Sequence, residues 1–259
     1  MEFSDIIYQK NDGVAKIIIN RPQVYNAFNT NTLKELCQAF EDVFFDTSVG
    51  VAVLTGAGDK AFCTGGDFNE AKQPGGYNKE MDYWHAHIHR LIRVVPCPVI
   101  AAVNGFAIGG GNILGFLCDL AIASENARFG QAGPRVGSFD GGFGISYLTR
   151  LVGERKAREI WFLCRQYSAR EALEMGLVNK VVPPDKLEEE VDKWCQEILS
   201  LSPTALRFCK AAFNAETDHQ YGFEGWAHVS TRLFWNSEEA LESKAAFAEK
   251  RKPDFAKFR

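Results

Sequence analysis

The 23 glycines of this 259-residue chain are clustered: Gly65–Gly66, Gly75–Gly76, Gly109–Gly111, and Gly141, Gly142 and Gly144. Glycine has no Cβ, so a cluster marks backbone that turns tightly or closely approaches something. A fold for this chain must supply several such points at the ends of regular elements. Val14–Ile19 is a β-branched run stopped by Asn20-Arg21-Pro22, which reads as a strand. Val51–Thr55, Pro98–Val103 and Leu120–Ala123 read as further buried strands. Thr32 and Glu35 stand at capping-box spacing ahead of Leu33, Leu36, Cys37, Phe40, Val43 and Phe44, a helical pattern. An apolar helix is expected from Gly109–Gly111 to Leu117. Strands alternating with helices predict an α/β fold.

From about residue 144 the pattern turns helical. One helix is expected over 154–165. A second is capped by Ser168 and Glu171 and stopped at Gly176. Leu187, Val191, Trp194, Ile198 and Leu199 mark a third, and Ser202-Pro203 starts a fourth. Residues 75–85 read as a mobile loop. The chain is divided into a core over 1–195 and a helical C-terminal region over 196–259.

Composition narrows the function classes. Apolar residues are 46% and charged residues 24%, ordinary globular values that argue against disorder. A formal charge of −4 gives no basic footprint for nucleic acid. No stretch approaches the roughly 20 apolar residues of a membrane helix. Met1–Asp5 lacks the basic and apolar regions of a secretory signal. Seven cysteines are scattered without a Cys-x-x-Cys pair, so a reducing, cytoplasmic setting is expected.

Chemistry enters with the glycines. Cys63-Thr-Gly-Gly-Asp67 and Gly105-Phe-Ala-Ile-Gly-Gly-Gly111 each follow a strand. Two such junctions can present two backbone N–H groups at one point, an oxyanion hole for charge on a carbonyl oxygen; the plainer alternative is tight turns and close packing. A dinucleotide fingerprint is excluded, because the glycines are contiguous and no acidic residue sits suitably downstream. His85 and His89 would share a helix face at i,i+4, a spacing that suits a metal. No third ligand is evident, so these histidines and His87 are read as lining a pocket or solvent, and no metal is expected. Cys63, with no base partner, is read as core, as are Trp161, Trp194 and Phe208.

Ala61-Phe-Cys-Thr-Gly-Gly-Asp67 together with Pro98-Val-Ile-Ala-Ala-Val-Asn-Gly-Phe-Ala-Ile-Gly-Gly-Gly111 resembles the crotonase (enoyl-CoA hydratase/isomerase) superfamily. So do Asn20-Arg-Pro22 with Asn26-Ala27, Cys118-Asp119, Phe129-Gly-Gln131 and Ala172-x-x-Met-Gly-Leu-Val178. The resemblance runs over nearly the whole chain. It implies a spiral of ββα units with a C-terminal helical region used in trimerisation, as a trimer or dimer of trimers. It implies an acyl-CoA substrate, with the thioester oxygen between the N–H groups of Gly66 and Gly110. It places substrate or CoA contacts at Asn26, Ala27, Thr64, Gly65, Asp67, Gly133, Trp235 and Lys257. The basic tail ending at Lys257 would reach CoA phosphates, a solvated terminus being the alternative. No cofactor is implied beyond CoA as part of the substrate.

Hydratases of this family share two glutamates; the matching positions here hold Ile113 and Gly133. What stands instead is Gly133-Pro-Arg-Val-Gly-Ser-Phe-Asp-Gly-Gly-Phe-Gly144, with Ser138 and Asp140 in a glycine-rich loop. An N-cap aspartate and a turn serine are the structural alternative. The block resembles two subfamilies, 1,4-dihydroxy-2-naphthoyl-CoA synthase and 2-ketocyclohexanecarboxyl-CoA hydrolase. These make and break the same bond through a thioester enolate. Asn69 and Ala71 stand where the synthase has lysine and arginine. Gln131-Ala132-Gly133 lacks the synthase hydroxyl, whereas Tyr77 matches a synthase loop tyrosine. Glu2–Pro22 and Arg251-Lys-Pro253 look more like the hydrolase. Trp235 departs from both. The expected reaction is hydrolytic ring opening: Asp140, oriented by Ser138, activates water, and Tyr77 or a histidine returns the proton. Condensation and a non-catalytic acyl-CoA-binding role are the alternatives. A dehalogenase-like role is disfavoured, because Ala132 stands where that branch has tryptophan.

Overall fold

A computed structural model describes residues 2–71, 78–140 and 142–259. Ten strands form among them: β1 (Ile6–Asn11), β2 (Val14–Ile19), β3 (Val51–Gly56), β4 (Ala61–Cys63), β5 (Val99–Val103), β6 (Phe106–Ile108), β7 (Leu120–Ser124), β8 (Arg128–Gly130), β9 (Gln166–Ser168) and β10 (Lys180–Val182). The six-stranded sheet runs β1-β2-β3-β5-β7-β10 and the four-stranded sheet β4-β6-β8-β9. The helices are α1 (Thr30–Phe45), α2 (Phe68–Ala71), α3 (Lys79–Val94), α4 (Gly110–Leu117), α5 (Gly133–Val136), α6 (Phe143–Val152), α7 (Glu154–Leu163), α8 (Ala169–Glu174), α9 (Leu187–Leu199), α10 (Pro203–Ala215), α11 (Tyr221–Trp235) and α12 (Glu238–Ala248).

One unit repeats: a long strand for the larger sheet, a short strand for the smaller, then a helix. β3–β4, β5–β6 and β7–β8 all follow it. Because each helix carries the chain back, β2, β3, β5 and β7 lie parallel, as do β4, β6 and β8. This is the mixed α/β spiral with a helical C-terminal region expected from the sequence. β3 shows why its strands are apolar throughout. Ala52 and Leu54 face the main core with Phe40, Phe62, Ile88 and Ile113. Val51 and Val53 face the opposite side, where α9 packs Leu187, Val191, Cys195 and Ile198. With both sheet faces covered, alternation disappears.

Four readings from the sequence need correction. The first helix starts at Thr30, and its capping box joins Asn29 to Thr32. Glu35 instead binds the N-terminal arm, accepting from Ser4 N at 2.9 Å and Asp5 N at 2.8 Å. The loop expected over 75–85 is helical from Lys79, because Asn78 accepts from Glu80 N and Met81 N and so caps α3. Residues 75–77 lie outside the described residues. Phe208 is not core but 69% exposed, on a face of α10 that nothing in the single chain covers. The short strands β6 and β8–β10 escaped the sequence reading because three residues carry no period. No helix among the described residues is long and apolar enough to cross a membrane.

Candidate active site

The first two glycine clusters meet. Phe28 N donates to Gly65 O and Asp67 N to Phe28 O, both at 2.8 Å. This bridge skips the Gly66 N–H. Gly110 is the first residue of α4, so its N–H has no intrahelical acceptor. A Cβ at Gly65 would stand 3.0 Å from Gly110 N, and φ there is +86°. A Cβ at Gly110 would stand 2.7 Å from Phe28 Cζ, and one at Gly111 2.0 Å from Cys63 O. Only glycine lets the two junctions touch. Gly66 and Gly110 line one cavity of about 140 Å³.

Asp140 lines the same cavity. Its Oδ1 accepts from Gly142 N at 2.9 Å. Ser138 does not orient it: among the described residues the Ser138 hydroxyl makes no hydrogen bond, although Ser138 also lines the cavity. A Cβ at Gly144 would fall 2.6 Å from both Asp140 Cγ and Ile113 Cδ1. The carboxylate therefore lies over the Gly144 backbone beside Ile113. Trp161 contributes more than core packing. Its Nε1 donates to Gly144 O at 2.9 Å and steadies that turn. Thr231 of α11 donates to Phe139 O at 3.0 Å, tying the loop to the C-terminal helices.

Facing Asp140 are two buried histidines, His85 and His89, and the half-buried His228. The rings of His85 and His89 on α3 lie tilted with centroids 4.4 Å apart, and the His228 ring of α11 stands edge-on 5.6 Å from His85. One ligand atom from each of His85, His89 and Asp140 lies within 4.8 Å of the others. Asp140 therefore stands beside this pair. His89 Nδ1 meets Glu224 Oε1 at 3.3 Å. His228 stands 3.9 Å from Asp82, which also pairs with Arg232. Burial, followed by the like charges of His89 and His228, holds His85 well below its ordinary pKa. Burial also lowers His228, against the pull of Asp140, Glu224 and Asp82. Burial pushes the Cys63 thiol up to about 12, which fits a core residue and not a nucleophile.

Thr64, Gly65, Asp67, Gly133 and Trp235 also line the cavity. Asp67 is committed to Arg21 at 2.9 Å. Trp235 carries the Lys244 ammonium over its ring at 3.6 Å. Asn26 and Ala27 do not line the cavity. The Asn26 side chain is spent on Arg21 N, Ala57 O and Ala61 O. Lys257 is exposed in the terminal turn, above the Phe258 ring at 4.7 Å. Tyr77 lies outside the described residues. Gln131, Ala227, His228 and Thr231 also line the cavity, and Glu224 partners His89. No local signal marks them.

The family described as enoyl-CoA hydratase/isomerase matches residues 9–258. An enoyl-CoA hydratase from Mycobacterium avium subsp. paratuberculosis is 30% identical, with 98% of this chain and 99% of that one covered and a TM-score of 0.89. A carnitinyl-CoA hydratase from Mycobacterium avium is 31% identical over 96% of this chain and 97% of its own, with a TM-score of 0.86. An enoyl-CoA hydratase from Bacillus anthracis is 32% identical over 97% and 98%, with a TM-score of 0.79.

Proposed function

The chain belongs to the enoyl-CoA hydratase/isomerase (crotonase) family, and from that premise we propose that it hydrolytically opens the ring of a cyclic β-ketoacyl-CoA. The observation that carries this reading is one carboxylate, Asp140, brought beside Ile113 in the cavity lined by Gly66 and Gly110. Hydration by two glutamates is poorly served. Ile113 is buried and apolar, and a Cβ at Gly133 would stand 2.7 Å from Ser138 O. A single base beside an oxyanion hole suits attack by water on a ketone.

In the proposed reaction the thioester oxygen accepts from Gly66 N–H and Gly110 N–H. Asp140, held by Gly142 N–H, takes a proton from water. The water oxygen adds to the ring carbonyl carbon. Collapse of the adduct breaks the bond to the α-carbon, whose electron pair becomes the thioester enolate. The two N–H groups hold that oxyanion, each worth about 2.7–4 kcal/mol of barrier. Protonation at the α-carbon gives a dicarboxylic mono-CoA thioester. A cavity histidine outside the His85–His89 pair, His228, lines the same space and in this proposal returns the proton.

Self-association through the C-terminal helices belongs to the same proposal. Phe208, Phe213, Phe223, Trp226, Leu233 and Phe247 are all more than half exposed on α10–α12, more apolar surface than a monomer usually shows. The deciding experiment incubates the enzyme with 2-ketocyclohexanecarboxyl-CoA, with o-succinylbenzoyl-CoA and with an enoyl-CoA in parallel. We expect the first to lose its enolate absorbance and gain one water in mass. Cyclisation of the second instead would favour condensation. Hydration of the enoyl-CoA alone would overturn the proposal.

A further inference from the structure

We propose that His85, His89 and Asp140 form a binding site for one divalent transition-metal ion of the zinc class. Two imidazoles and a carboxylate suit such an ion better than magnesium or calcium, which prefer oxygen donors. The two histidines sit at i,i+4 on α3, and the three ligand atoms lie within 4.8 Å of one another. Donors around a tetrahedral zinc with bonds of about 2.0–2.1 Å stand about 3.4 Å apart. Small side-chain rotations close that difference.

The nitrogens are prepared for a ligand. His89 is 1% exposed and His85 9%. Among the described residues Nε2 of each has no hydrogen-bond partner. A buried polar atom without a partner is costly, and native structures rarely leave one. His89 Nδ1 is occupied by Glu224 at 3.3 Å. This contact fixes the ring and leaves Nε2 as the donor, the usual outer-sphere arrangement of a metal-binding histidine. Gly142 N–H likewise fixes one oxygen of Asp140. The local charge favours a cation: Asp82 is matched by Arg232, whereas among the described residues Glu224 pairs with His89 and no lysine or arginine pairs with Asp140.

His85 and Asp140 line the cavity that Gly66 and Gly110 also line. An ion there would have its open positions in that cavity, where the proposed water stands, and would lower the pKa of that water. This role rests on the ring-opening reading; the binding itself rests on the geometry alone.

The test uses the full chain, stripped with a chelator and titrated with Zn²⁺ by calorimetry and with Co²⁺ by visible absorption. We expect one zinc per chain. His85→Gln and His89→Gln should each weaken binding by about 100-fold, and Glu224→Gln by about 10- to 100-fold. His87→Gln should bind as the parent does, because His87 points away to Glu41 at 2.9 Å. Circular dichroism screens each variant for folding, and Asp140→Asn serves if a histidine variant fails. Zinc well below one equivalent, or parental affinity in both His85→Gln and His89→Gln, overturns the site. Ring opening is assayed in parallel. Zinc binding without turnover leaves the site standing and overturns the reaction. Turnover by a chain that binds no zinc does the reverse.

Discussion

One wall of the cleft is backbone: Gly65 and Gly110 approach too closely to admit a Cβ, and Gly66 and Gly110 both line the cavity. The facing wall is side chain, gathered from α3, from the loop at 138–140 and from α11. Its bonds span the chain, with His89 reaching Glu224 and Asp82 reaching Arg232. In the proposed reaction the backbone wall holds the thioester enolate and recognises only its oxygen. The side-chain wall has to choose the reaction. On that proposal, a chain with Ile113 and Gly133 at the hydratase positions takes its base from the side-chain wall, at Asp140.

The comparison is broken most sharply by Asp140→Asn. Turnover should fall by about 10²–10⁴-fold, while calorimetry shows CoA-ester binding retained. Comparable loss of binding would mean that Asp140 belongs to substrate holding instead. On the opposite wall, Gly110→Ala drives a Cβ toward Phe28 and should cost about 10²–10³-fold in kcat by displacing a donor. Phe28→Leu in the same chain should recover much of the lost melting temperature, since the clash is with the ring edge. Gly144→Ala tests the seam between walls. Its Cβ would meet Asp140 and Ile113, and a carboxylate displaced by about 1 Å should lose about 10²-fold in turnover.

The smallest effect is expected far from either wall. Glu242 accepts from both Arg251 nitrogens and from Asp254 N, with Arg251 the main cause lowering its pKa to about 2 from 4.5. A carboxylate with a depressed folded pKa stabilises above its unfolded value and loses that contribution as pH falls. Urea unfolding should therefore show stability declining from pH 4.5 towards 2. Glu242→Gln should flatten that limb and leave turnover at neutral pH unchanged.

Legibility followed the same division. The strands β2, β3, β5 and β7 of the larger sheet and the glycine junctions could be read locally, because β-branched runs and contiguous glycines announce themselves within a few residues. Asp140 was legible through its glycine-rich loop, but its support was not. Ser138 is its neighbour in sequence, yet Gly142 N–H holds it, since a turn decides which backbone group a carboxylate meets. His85 and His89 were visible as a spaced pair, whereas Asp140, which packs within 4.8 Å of them, stands more than fifty residues away in sequence.

By itself the sequence determined the α/β class, the family resemblance, the places where only glycine fits, and the absence of glutamates at the hydratase positions. Those are properties of residue type and short spacing. Tertiary structure decided that Asp140 lies beside Ile113, that three histidines surround it, and that Glu224 and His228 belong to the cavity wall. Such contacts arise where α3, α6 and α11 pack together, and no local spacing encodes the distance between helices.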